Sequence, residues 1–427
     1  MPYVTNDLRK WLDKIEDYRN DYLDEFENQI PIVSTTNSTG DNCSSKNLYS
    51  YGTKWLLSGE VLLKKLEDKI DYNSNQKENI KIALENETFE GSLDSEGNGF
   101  GVLEKKNNTS GLYEYLAKGK FVKGNLDGRI KERKSCTYLG DYVYKAGIRH
   151  GAYRKFTTSK QFQELGFYES GKKVALTFLK YSGGCYFTGE WSTAGLLANP
   201  CAFIYPDLQS VITGRFELND AGKYAELKVI NGQFGKITGF LWKNGIPVPQ
   251  IHITKLDLLK FQMSTDTNLC ENLHLGDPYE IETVSVKESE ISNAGQGLFA
   301  KKPIAPEKII SFYNGVRYPK KRRESGKSYK WSDFRLALDD STDLDIPLKL
   351  RSLKHYTSTL GHKACHTFDT IKINAKFDTF YHPRFGPIIA LLSSRNIYTN
   401  EEILVNYNYK NIQRAPDWYK KLWNNRK

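Results

Sequence analysis

Three stretches toward the C-terminus hold residue types that could do chemistry. Ser292-Asn293-Ala294-Gly295-Gln296-Gly297-Leu298-Phe299 is a turn with two glycines, followed closely by Ser311-Phe312-Tyr313-Asn314-Gly315. Leu360-Gly361-His362-Lys363-Ala364-Cys365-His366-Thr367-Phe368 sets a thiol beside an imidazole, and Glu401-Glu402-Ile403-Leu404-Val405-Asn406-Tyr407-Asn408-Tyr409 brings two tyrosines close together. Glycine lacks a side chain, so a glycine turn lets backbone groups approach a bound molecule closely. Ala294-Gly295-Gln296-Gly297 is therefore a candidate cofactor grip, although such a turn taken alone is more often loop punctuation. Cys365 offers a weak donor and acceptor, or serves as a small buried hydrophobe. His366 alone reads equally as a satisfied core histidine. Near the end, Ala415-Pro416-Asp417-Trp418-Tyr419 opens a short helix, with Pro416 suited to its first turn.

In this order and spacing, the stretches closely resemble the SET-domain protein-lysine methyltransferases. The resemblance implies methyl transfer from S-adenosylmethionine to lysine, which requires no metal but does require alignment in a site that excludes water. It assigns Ala294, Gly295, Gln296 and Gly297 to the cofactor's methionine end. Where the family has an Asn-His pair at the adenine, this chain has Cys365-His366, so His366 keeps the backbone role and Cys365 offers a weaker contact. Trp418 takes the place of a tryptophan that stacks on adenine, and Leu422 stands where the family can show an acid.

The resemblance further gives Tyr407 the position of the catalytic tyrosine, with Tyr313, Phe377 and Tyr409 forming the rest of a lysine channel; Tyr407 and Tyr313 are its catalytic pair. Aromatic faces shelter a lysine stem and stabilise cationic methyl groups by about 0.5–2 kcal/mol per contact. Burial there also disfavours the charged amine. A tyrosine that limits the subfamily to one methyl aligns with Phe377, which implies a dimethyl product. The stretch from Asp369 to Ile373 is longer than in the family and bears on that register.

These residues need elements to position them. Val284-Ser285-Val286-Lys287-Glu288-Ser289 alternates as a strand should, and Asp277-Pro278-Tyr279-Glu280 leads into it. His382-Pro383-Arg384-Phe385-Gly386-Pro387 reads as a turn feeding a strand over Ile388 to Leu392. Upstream, from Phe89 onward, aromatic or β-branched residues and glycines recur at hairpin spacing: Phe89-Glu90-Gly91, Tyr138-Leu139-Gly140-Asp141-Tyr142 before Gly147 and Gly151, and Phe187-Thr188-Gly189-Glu190-Trp191. This pattern resembles MORN repeats, hairpins that bury a core only by stacking. Leu8, Trp11, Ile15, Tyr18, Tyr22, Phe26 and Ile30 recur every three or four positions, which predicts a helix from Asp7 to Ile30, closed by Pro31. That helix either docks a partner or packs on its own chain. Ser34 to Lys46 is a Ser/Thr/Asn linker, and a second helix fits between Lys54 and Ile70.

The composition sets wider bounds. At 427 residues the chain has room for two or three domains. Hydrophobic content is 39%, with no apolar run long enough to cross a membrane and no signal-peptide pattern. The six cysteines are scattered without a C-x-x-C pair, which argues against structural zinc or disulfides and for a reducing compartment. Pro319-Lys320-Lys321-Arg322-Arg323 resembles a nuclear localisation signal.

The expected architecture is mainly β with short helices. It comprises a helical extension with linker (1–85), a MORN-repeat antiparallel sheet (86–245), a connecting segment (246–276), a SET-domain β-fold (277–410) and a closing C-terminal helix (411–427). The resemblance implies S-adenosyl-L-methionine as cofactor and lysine-bearing protein substrates, histone or non-histone. It also implies no metal, no sequence-specific nucleic acid, a monomer, and a place in nucleus and cytoplasm with chromatin favoured. The rival reading is a catalytically weak or inactive SET/MORN scaffold that binds peptides or membranes.

Overall fold

The glycines that punctuate the first half of the sequence sit where the chain reverses. Lys123-Gly124, Ala146-Gly147 and Ser170-Gly171 each pair two residues of positive φ, between 47° and 80°. Two such residues form the tight hairpin turn whose twist matches that of the flanking strands. The amides of Gly124, Gly147 and Gly171 each donate to a carbonyl of the preceding hairpin, on Gly97, Leu126 and Arg149. The structure, a computed structural model, describes residues 8–12, 59–67 and 78–424, less 107–112, 135–137, 157–161, 192–196, 220–225, 244–245, 264–268, 321–331, 410–411 and 413–415.

Fourteen strands, β1 (Glu78–Leu84) to β14 (Ile246–Leu259), lie in one sheet in strict sequence order. The fold is thus mainly β, as expected. Ile246–Leu259, assigned from the sequence to a connector, is itself the last strand. Pro247 and Pro249 interrupt the reading of its alternation, and prolines are tolerated at a sheet's edge.

The chain divides into two compact units. The first comprises Met1–Lys180, Phe187–Cys201 and Thr238–Gln250. Its strands place Phe89, Phe121, Ile130, Tyr142, Tyr153 and Tyr168 on one buried face, covered in part by Leu62 of helix α1 (Gly59–Glu67). Within this core Arg149 pairs with Glu132 and lies 4.0 Å over the Tyr142 ring. Tyr115 and Tyr144 donate their hydroxyls to the same carboxylate. Of the predicted N-terminal helix, residues 8–12 are described and helical. Trp11 packs edge-on against Phe178 and Trp242, so this segment packs on its own chain; the remainder of that helix lies outside the described residues.

The second unit comprises Tyr181–Tyr186, Ala202–Ile237 and Ile251–Lys427. Helix α2 (Pro278–Thr283) starts on the side chain of Asp277, which accepts from the amides of Tyr279 and Glu280. Such a cap satisfies amides that a helix start leaves open. Beyond it come small sheets. β15 (Val284–Glu288) pairs antiparallel with β16 (Gln296–Ala300). β17 (Ile309–Tyr313), β23 (Gly386–Ser393) and β22 (Ala375–His382) form a three-stranded sheet in that order. β18 (Val316–Pro319), β20 (Thr342–Asp345) and β19 (Leu336–Ala337) form another. β21 (Cys365–His366) runs parallel to β24 (Leu404–Val405). Helix α3 (Asp417–Asn424) closes the described chain.

Candidate active site

The glycine turn occupies the link between β15 and β16. Asn293 and Gly295 both have positive φ, and a side chain added at Gly295 would meet nothing within 4 Å. Residues 292–296 are exposed, so this backbone faces outward rather than into the core. The turn is fastened from behind. Glu402, 3% exposed, accepts from Ser289 Oγ at 2.6 Å and from the amide of Glu290 at 2.9 Å. At Gly297 an added Cβ would come within 2.2 Å of Glu402 Oε1 and push the carboxylate out of these bonds.

The Gly361–His366 segment passes beside this turn. Gly361 has no room for a side chain, because a Cβ would lie 2.6 Å from the carbonyl oxygen of Phe312. Cys365 and His366 pair in parallel with Leu404 and Val405, which brings the following tyrosines alongside. Asn374, fully buried, holds that join: its amide group donates to Glu401 and to the Glu402 carbonyl, and its Oδ1 accepts from the amide of Leu404.

Tyr313, Phe377 and Tyr407 converge here. The Phe377 ring lies 6.2 Å from that of Tyr313 and 6.3 Å from that of Tyr407. Tyr407 donates its hydroxyl to the Ala364 carbonyl at 2.7 Å, and Tyr313 donates to the Phe334 carbonyl. Burial raises both phenols well above their ordinary range, so both stay protonated. Tyr409 stands 6.4 Å from Tyr407 and packs 4.6 Å from Tyr419. The Asp369–Ile373 stretch closes into a turn on the Asp369 carbonyl, and Phe377 opposes Leu391 with its ring on the tyrosines.

His366 is nearly buried, accepts from the Tyr407 amide at Nδ1, and is pushed down to about 4 by burial, so it is a neutral imidazole. Around it stand Phe368, Tyr419, Tyr407 and Trp418. Trp418, on α3, is 38% exposed and leaves part of its indole open; Leu422, one turn on, is likewise exposed. The Cys365 thiol donates to the Gln296 carbonyl at 3.5 Å, and burial pushes it up to about 11, so it is an uncharged thiol rather than a nucleophile.

Lys363 is the residue that the sequence reading passed over. It is 8% exposed, and its ammonium donates to Gln296 Oε1 at 2.9 Å and to the Arg351 carbonyl at 2.6 Å. Both acceptors are neutral, and burial pulls its pKa down. A largely buried ammonium with neutral partners is costly, and a carboxylate placed on it would relieve that cost. Its position in the Gly361-His362-Lys363 run was the available signal. An exposed glycine turn, this cation and a part-exposed indole together fit a ligand carrying a carboxylate and an aromatic base, as S-adenosylmethionine does. Among the described residues no cluster of His, Cys, Asp or Glu could hold a metal.

No family model matches the chain. A curated relative, the histone-lysine N-methyltransferase SETD7 of Halocynthia roretzi, is 31% identical over 264 residues, covering 60% of this chain; the chain spans 66% of that relative's length. Among solved structures, the polycomb repressive complex 2 of Chaetomium thermophilum overlaps 32% of this chain and 16% of its own at 20% identity, with a TM-score of 0.24. The ATXR5 SET domain in complex with histone H3 dimethylated on R26 overlaps 31% of this chain and 61% of its own at 19% identity, with a TM-score of 0.23. Over those 264 residues, then, this chain is similar to a histone-lysine N-methyltransferase of the SETD7 type.

Proposed function

We propose that this chain is a protein-lysine N-methyltransferase that uses S-adenosylmethionine. The observation that carries the reading is the state of two phenols at one spot. Tyr313 and Tyr407 each donate their only hydroxyl proton to a backbone carbonyl, which leaves both oxygens as acceptors. A lysine amine entering beside Phe377 would find those acceptors in place and would be oriented by them. Desolvation among three aromatic rings lowers the amine's own pKa and favours its neutral, nucleophilic form. Because both tyrosines hold their protons, the amine's proton leaves to solvent rather than to a phenolate.

The residues that would hold the cofactor are Ala294, Gly295, Gln296 and Gly297 by backbone, Lys363 by charge, Cys365 and His366 beneath, and Trp418 by stacking. When bound, S-adenosylmethionine supplies a methyl group on a sulfonium, ready for attack in line. The substrates are lysines of histones or other proteins, and the nucleus is favoured over the cytoplasm because the relative is named for histone lysine. Of the basic run that suggested nuclear import, Lys321 to Arg323 lie outside the described residues. The fourteen-stranded sheet is read as MORN-type and the protein as a monomer. Cys365 favours a second reading, a SET fold that binds peptide but transfers slowly.

Two measurements test the proposal. Calorimetric titration should show one S-adenosylmethionine bound per chain, whereas a scaffold would show none. Tyr407→Phe should lower kcat at least tenfold, equivalent to about 1.4 kcal/mol of transition-state stabilisation, and leave cofactor affinity within about twofold. Equal losses in both would make Tyr407 a packing residue.

A further inference from the structure

One buried carboxyl has no part in the chemistry above, yet it touches both walls of the site. Glu280 lies on α2 and is 1% exposed. Its Oε1 accepts three hydrogen bonds: from Ser311 Oγ, from the amide of Phe312 at 2.9 Å and from the amide of Leu360 at 2.8 Å. Phe312 immediately precedes Tyr313, and Leu360 immediately precedes the Gly361–His366 segment with Lys363 and Cys365. The two strands of chain press together at this point, since Gly361 has no room for a Cβ beside the Phe312 carbonyl. The helix that presents Glu280 is itself fixed: Asp277 caps it and also receives the Tyr205 hydroxyl.

We propose that Glu280 is a positioning residue of the methyl-transfer site, one oxygen atom tying the strand that carries Tyr313 to the segment that carries Lys363, Ala364 and Cys365. The inference rests on the proposed function for its catalytic consequence, though the tie itself does not. Tyr313 and Tyr407 both anchor on backbone carbonyls, those of Phe334 and Ala364, so their oxygens can face one amine only if these two stretches keep their spacing. Without the tie, two buried amides and a hydroxyl would lose their acceptor, and the walls would separate to satisfy them elsewhere. Displacements of about 1 Å in such sites lower rates by about a hundredfold. Reach, not charge, is what the tie requires. The second oxygen, Oε2, is buried with no hydrogen-bond partner among the described residues, and the charged neighbour that acts on the group, Asp277, would repel a carboxylate rather than hold it.

Two conservative variants separate reach from charge. Glu280→Gln keeps an oxygen at the same distance, while Glu280→Asp keeps the acid but withdraws it by one methylene. On a lysine peptide with saturating cofactor, Glu280→Gln should hold kcat within twofold of wild type, and Glu280→Asp should lower it tenfold or more. Hydrogen exchange at the Phe312 and Leu360 amides, measured without ligand, should be unchanged in the first and at least tenfold faster in the second. Glu280→Asp matching wild type in exchange and kcat, or Glu280→Gln impaired as much as Glu280→Asp, would overturn the proposal. If wild type transfers no methyl at all, the proposed function has failed, and the exchange rates alone still decide the role of Glu280.

Discussion

At the scale of single residues, two differences from the SET-domain pattern that the sequence resembles have separate expected consequences. Cys365 puts a weakly hydrogen-bonding thiol where an asparagine side chain would offer a donor and an acceptor. Its thiol already has the Gln296 carbonyl as partner. Cys365→Asn should therefore tighten S-adenosylmethionine by about 1 kcal/mol, roughly fivefold by titration. Unchanged or weaker binding would mean that the neighbouring backbone has adapted to sulfur. Phe377 brings no hydroxyl between Tyr313 and Tyr407, so under the proposed function those two are the acceptors for an incoming amine. A monomethylated lysine then has room to rotate and present its lone pair again. The wild-type protein should convert a monomethyl-lysine peptide to dimethyl-lysine, and Phe377→Tyr should shift the product toward monomethyl by about tenfold, as read by mass spectrometry. A wild-type protein that adds a first methyl but never a second would contradict this.

At the scale of elements, α2 gives a pH dependence with a definite sign. Burial raises the Glu280 carboxyl from its usual 4.5 to about 8, and its hydrogen bonds and Asp277 alter that only in part. The folded state thus binds this proton more tightly than the unfolded chain. The associated stability is fully present below about 4.5 and is lost as the pH climbs through about 8. Glu280→Gln cannot titrate, so its melting temperature relative to wild type should rise between pH 6 and pH 9. A constant difference across that range would show that Glu280 is ionised throughout. His366, held neutral by burial, acts oppositely, lowering stability below its ordinary range near 6.5 in both proteins, and so drops out of the comparison.

Much of this element-scale picture could be read from the sequence. Alternation and turn glycines located the hairpins, and the motif around Tyr407 picked out rings that meet in the structure, those of Tyr313, Phe377 and Tyr407. What could not be read were the ties between distant stretches. Glu280 reaches Phe312 and Leu360, Glu402 reaches Ser289, and Asn374 reaches Leu404. Each is an ordinary polar residue whose purpose exists only once the small sheets are assembled. Ile246–Leu259 was missed for a local reason, because its two prolines mask the period of a strand.

At the scale of the whole molecule, the described residues contain no helix long and apolar enough to cross a membrane. The net charge of +10 suits encounter with acidic surroundings, through long-range attraction that salt screens. Within the second unit, the Tyr313 and Tyr407 hydroxyls, the Lys363 ammonium and the Cys365 thiol each bond to a backbone carbonyl, so these groups are held by the fold itself. Under the proposed function this arrangement transfers methyl groups to lysine. Mass spectrometry of an unmodified lysine peptide, incubated with the full chain and S-adenosylmethionine, tests it directly. A gain of 14 Da at lysine, about the mass added per methyl, that disappears in Tyr407→Phe is the expected result. No gain in mass from a folded protein that binds S-adenosylmethionine would contradict lysine methyl transfer by this chain.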